Sequence, residues 1–114
     1  MKHKTFFNLL VTVLFATNIN AQKIVNTSIA DSSKIISIAE VSCGECQFKM
    51  KGSSCDLAVR LNGKSYFVDG TKIDEHGDAH AKDGFCESVR KAEVQGKVIN
   101  NRFNVTYFKL LPKD

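Results

Sequence analysis

The stretch Cys55–Asp69, CDLAVRLNGKSYFVD, decides the class of this chain. Asn62-Gly63 at its centre is the dipeptide that best tolerates positive φ at both positions of a two-residue type I′ turn. Folding the flanks about it opposes Val59 to Tyr66 and Leu57 to Val68, an apolar face, with Arg60, Ser65, Asp56 and Asp69 on the other side. Ala58 and Phe67 face one another on that more polar side. The register is self-consistent, so a hairpin over 55–61 and 64–69 is expected.

Working outward, Ile35 to Ser42 (IISIAEVS) is rich in β-branched residues and reads as a strand ending at the turn Cys43-Gly44-Glu45-Cys46, with Gln47 to Lys51 as its continuation. On the other side, Ala92–Ile99 and Arg102–Leu111 fold about Asn100-Asn101 into a second hairpin. That turn opposes Val98 to Phe103, Gly96 to Val105 and Val94 to Tyr107. Gly96 inside a strand suggests a bulge or a close backbone approach. Between the hairpins, Asp83 reads as the N-cap of a short helix over Gly84 to Lys91, with Glu87 in its first turn and Arg90 and Lys91 in its last, as the helix dipole prefers. Strand, hairpin, short helix, hairpin is the order of a mainly β, five-stranded OB-fold-like barrel with its helix between strands 3 and 4. A small β-sandwich with one helix is the alternative.

The N-terminus has Lys2, His3 and Lys4, an apolar run from Phe6 to Ala16 and a polar stretch to Ala21, the pattern of a secretory signal peptide cleaved after Ala21. Its apolar run is shorter than the roughly 20 residues that span a bilayer. The expected organisation is therefore a signal peptide over 1–21, a flexible tether over 22–34 and a single domain over 35–111, exported to the periplasm or secreted. Lys2 and Lys4 leave with the leader, which lowers the formal charge of +4 to about +2. The remaining charges alternate in sign, unlike the clustered basic face of a nucleic-acid binder. A monomer with no nucleic-acid partner and no membrane span after cleavage is expected, its partner being an unidentified small ligand or protein.

A domain of this size buries only about 60–65% of the surface its unfolded chain exposes, so covalent or metal staples help it. Cys43, Cys46, Cys55 and Cys86 are the disulfide candidates in an oxidising compartment, and spacing leaves all three pairings open. The same Cys-x-x-Cys forms half of a tetrahedral zinc or copper(I) site, with the other half drawn from Cys55, Cys86, His76 or His80. Two, eight and thirty residues separate successive cysteines, which is not the regular spacing of a zinc ribbon.

The loop Gly70–Cys86, GTKIDEHGDAHAKDGFC, concentrates the remaining chemistry in His76, His80, Asp74, Glu75, Asp78 and Asp83. Four residues apart, the two histidines are roughly 5–6 Å from each other on a helix and able to share a metal. In an extended segment they are roughly 13 Å apart and cannot. The plain reading is a loop that hydrogen-bonds itself through its aspartates. The metal candidates are therefore Cys43, Cys46, His76, His80 and Cys86, with zinc or copper as the cofactor.

The segments AEVSCGECQF, SCDLAVRLNGKSYFVDGT, DEHGDAHAKDGFC and KAEVQGKVINNRF resemble a family of small exported bacterial proteins of undetermined function, over residues from about Ala39 to Leu111. The closing KAEVQGKVINNRFNVTYFKLL also resembles the end of exported bacterial OB-fold proteins. Neither resemblance implies an activity. The residues themselves point to a non-enzymatic exported binding domain that holds a transition metal through a Cys/His cluster. Two alternatives stay open: a thiol–disulfide redox protein using Cys43 and Cys46, and a disulfide-stapled interaction module without metal.

Overall fold

Two short turns and one bulge set the architecture of the computed structural model, which describes residues 27–113. Asn62 and Gly63 both take positive φ, as do Asn100 and Asn101, so each pair reverses the chain in two residues. The first turn joins β2 (Leu57–Leu61) to β3 (Lys64–Asp69), and the second joins β4 (Arg90–Ile99) to β5 (Arg102–Leu110). With β1 (Ser37–Cys43) they close a barrel in the order β1-β2-β3-β5-β4. β1 runs antiparallel to both β2 and β4, and β3 meets β5 in a short parallel ladder, Val68 beside Phe103 and Asp69 beside Asn104. This is the five-stranded OB-fold-like barrel expected from the order of elements. A closed sheet leaves no long edge open to other chains.

The interior is filled from every strand. Val41, Val59 and Val94 are fully buried, with Leu57, Phe103, Val105, Phe108 and, from the loop before β4, Phe85 around them. Burying a side chain of this size contributes roughly 1.5–3 kcal/mol, so this set is the main source of the fold's stability.

The first hairpin has the expected register, Ala58 opposite Phe67 and Val59 opposite Tyr66. The second begins as expected, Val98 opposite Phe103 and Gly96 opposite Val105, and then slips by one residue. A bulge between Gln95 and Gly96 leaves Thr106 unpaired, so Val94 faces Phe108 rather than Tyr107, which pairs with Gln95. The glycine is required there, because a Cβ at position 96 would collide with the Asn104 carbonyl oxygen. The slip turns Tyr107 to the outer side, beside Gln95, and both are buried there. Residues 27–34, expected as part of a tether, lie against them: the Gln95 amide donates to the carbonyls of Asp31 and Lys34 (both 2.9 Å) and accepts from the Asp31 N–H (2.8 Å). The Phe108 N–H donates to the Thr27 carbonyl at 2.9 Å. The signal peptide expected over 1–21 and the start of the 22–34 segment lie outside the described residues.

Helical structure differs from expectation in place. Gln47 to Lys51 does not extend β1, since the strand passes into α1 (Gly44–Gln47), after which Lys49 takes positive φ and the Met50 N–H returns to the Gly44 carbonyl. Gly84 to Lys91 forms one turn, closed by the Ser88 N–H on the Gly84 carbonyl. It goes no further because Arg90 and Lys91 pair with Val41 and Glu40 as the start of β4. The helical piece between β3 and β4 is instead a 3-10 turn, Ile73–His76. Among the described residues, no helix is long and apolar enough to cross a membrane.

Candidate metal centre

At the end of β1 the strand delivers Cys43 to the interior, opposite Leu57 of β2, and the chain turns at once into α1 with Cys43 as its N-cap. The turn is tight because residue 44 is glycine. A Cβ there would sit 2.6 Å from the Phe67 ring and 2.9 Å from the Met50 sulfur. Within this turn the Cys46 N–H donates to Cys43 Sγ at 3.4 Å, which places the exposed Cys46 above the buried Cys43.

Two further segments are bound to the same turn. Glu45 accepts the N–H groups of Asp56 (3.0 Å) and Ser54 (3.3 Å), one on each carboxylate oxygen, so it grips the backbone on both sides of Cys55. Gln47 donates its amide to the Cys86 carbonyl at 2.8 Å. Cys86 lies in the turn before β4, which is anchored on β1 by the Cys43 N–H on the Phe85 carbonyl (3.0 Å). The buried Ser42 hydroxyl shares its single hydrogen between the carbonyls of Phe85 (2.6 Å) and Ser88 (2.8 Å).

The four sulfurs of Cys43, Cys46, Cys55 and Cys86 consequently lie within 4.8 Å of one another, all as free thiols. Cys55 Sγ is central, 2.7 Å from Cys43 Sγ and 2.8 Å from Cys86 Sγ. Four thiolates about 2.3 Å from a zinc ion are about 3.8 Å apart in a tetrahedron, so the set needs only side-chain shifts of about 1 Å to take one. A soft, all-thiolate donor set suits zinc or copper(I).

Proton affinities respond to this crowding. Burial pushes the Cys43 thiol up, but hydrogen bonds from the Cys55 thiol and the Cys46 N–H outweigh it and hold Cys43 below the ordinary thiol value. Its hydrogen bond with Cys43, then burial and the neighbouring sulfur charges, push Cys46 up to about 11. Burial, then the hydrogen bonds and charges of Cys43 and Cys86, push Cys55 up strongly. Like charges at such short range resist ionising together, and a cation among them reverses that repulsion. On the outer side, the Asp56 carboxyl is held above its usual range by its hydrogen bond with Glu45.

The sequence-level metal candidates divide here. Cys43, Cys46 and Cys86 come together, joined by Cys55, whereas His76 and His80 stand outside the group. His76 ends the 3-10 turn with its ring against Phe108, centroids 4.3 Å apart, and edge-on to Phe85 at 6.2 Å. The buried Thr71 hydroxyl donates to Glu75 at 2.7 Å and therefore accepts from His76 Nε2 at 2.8 Å, which fixes the proton on that nitrogen. Burial lowers the His76 pKa, against the opposing charge of Glu75. His80 is exposed, its backbone N–H on the Asp78 carboxylate at 2.9 Å. A turn ending at Gly77 thus sends the two rings different ways, and the helical spacing needed for shared ligation is absent.

Sequence reasoning did not single out Glu45 and Gln47 as the groups that assemble the cluster. Their signal was position: both lie in or beside the Cys-x-x-Cys turn, where a carboxylate and an amide can reach the backbone of neighbouring loops.

Residues 37–111 match the family of unknown function DUF6370. The chain belongs to that family. No curated protein and no solved structure matches the chain.

Proposed function

We propose, from the premise that the chain is a member of the DUF6370 family, that it is a non-enzymatic metal-binding domain holding one zinc or copper(I) ion through Cys43, Cys46, Cys55 and Cys86. One observation carries this reading: three separate segments, fastened together by Glu45, Gln47 and the end of β1, bring four sulfurs within 4.8 Å. Export fits the leader-like pattern of Lys2, Lys4, the Phe6–Ala16 run and Ala21. The proposed address is therefore the periplasm or the exterior of a bacterial cell.

Thiol–disulfide exchange is the less favoured chemistry. Passing a disulfide among Cys43, Cys55 and Cys86 would set three sulfurs nearly in line, whereas separations of 2.7 and 2.8 Å to Cys55 with at most 4.8 Å across keep the angle at Cys55 Sγ at or below about 120°.

The deciding experiment is the native mass of the mature protein, followed by its mass after denaturation without reductant. One metal ion per chain with four free thiols is the expected result. No metal and a deficit of four protons would mean two disulfides, and the domain would then be a stapled interaction module.

A further inference from the structure

The four sulfurs are not held alike. Cys43 is buried in the β1–β2 ladder. Cys55 is fixed through its neighbours, since the N–H groups of Ser54 and Asp56 both end on Glu45. Cys86 is fixed at both ends of its peptide unit, its N–H on the Ala79 carbonyl at 2.9 Å and its carbonyl on the Gln47 amide. Cys46 is the exposed member of the set, and its backbone N–H is committed to Cys43 Sγ. One ligand thus ends a barrel strand, two sit in loops whose backbone is fastened to the α1 turn, and the fourth stands at the solvent face of the site.

We infer that Cys46 is the exchange ligand of the centre: the position at which an incoming thiol replaces a protein sulfur on the bound ion while Cys43, Cys55 and Cys86 keep their grip. This rests on the metal-binding reading above and adds a class of partner to it, a thiol-bearing acceptor or donor of a thiophilic ion. The step balances without an oxidant. The incoming sulfur forms a bond to the ion, the Cys46–metal bond breaks, and the proton lost by the incoming thiol is taken up by Cys46. Its geometry requires solvent access to one ligand and shielding of the rest, and Cys46 and Cys43 are the two extremes of that gradient.

The test uses the full mature protein loaded with zinc. Limited iodoacetamide treatment followed by peptide mapping should modify Cys46 at least about tenfold faster than the other three cysteines, and the singly alkylated chain should still carry zinc in its native mass. Cys46→Ser should retain one zinc and, with glutathione added, show a protein–zinc–glutathione adduct; Cys55→Ser should retain no stoichiometric zinc. Equal alkylation rates, or loss of zinc from Cys46→Ser as complete as from Cys55→Ser, would overturn the assignment. Unmodified protein that takes up no zinc or copper(I) would instead remove the metal reading itself, and this inference with it.

Discussion

The cysteine cluster and the histidine pair are built on opposite principles. The four cysteines are scattered over residues 43 to 86 and converge; the two histidines are four residues apart and diverge. Convergence comes from barrel closure, because β1 ends beside the start of β2 and beside the turn that precedes β4, and each junction carries a cysteine. Divergence comes from a single 3-10 turn that ends at Gly77, leaving one ring against Phe108 and the other at the surface. Proximity in sequence is therefore a poor guide to a shared site when a turn intervenes, and strand ends are a good one.

The largest effect separating the two regions is expected from Gly44→Ala. The added methyl meets the Phe67 ring and the Met50 sulfur, so α1 must move off the sheet, carrying Cys46, Glu45 and Gln47 with it. Overpacking of this kind costs about 1–3 kcal/mol. Because the moved groups assemble the cluster, zinc affinity should fall by more than about tenfold, roughly 1.4 kcal/mol. Titration with a competing chelator measures it, and an unchanged affinity would show that the turn does not set the site.

A smaller and opposite pattern is expected from the histidines. His76→Ala removes the ring from Phe108 and Phe85 and leaves the Thr71 oxygen without its donor, at a cost of about 1–2 kcal/mol, or roughly 4–16 °C in Tm. Zinc stoichiometry should be unchanged. His80→Ala, on an exposed side chain, should shift stability by no more than about 0.5 kcal/mol. Loss of zinc from either variant would restore the histidines to the site and break the contrast.

The same contrast explains what could be read from the chain before folding. Asn62-Gly63 and Asn100-Asn101 announce both hairpins because turn chemistry is local, and alternation about them places Val59, Val105 and Phe103 inside. The register beyond Gly96 was not legible, since which strand accommodates the extra residue depends on how Val94 and Phe108 fill the core and how residues 27–34 cover Gln95. The apparent helix at Gly84–Lys91 had a cap and favourable charges, but pairing of Arg90 and Lys91 with β1 outweighs those local preferences. For the site, the Cys-x-x-Cys turn was visible. The meeting of Cys55 and Cys86 with it is a property of topology, and residue spacing alone does not encode it.

The smallest of the expected effects concerns protons. The His76 ring is neutral in the packed state because burial disfavours its charged form, so its folded pKa lies below the value near 6.5 that it has in the unfolded chain. Between those two values the unfolded chain binds a proton that the folded one does not. The stabilisation from neutral, packed His76 is therefore complete above about pH 6.5 and is lost as pH falls through the folded pKa. The slope cannot exceed about 1.4 kcal/mol per pH unit for one group. Denaturant unfolding of the reduced, metal-free protein at a series of pH values between about 7.5 and 5 isolates it, since thiolate–metal bonds carry a pH dependence of their own. His76→Gln should be less stable than the parent at the upper end and change less across the window. An equal decline in both would place the proton-sensitive group elsewhere and leave His76 as packing alone.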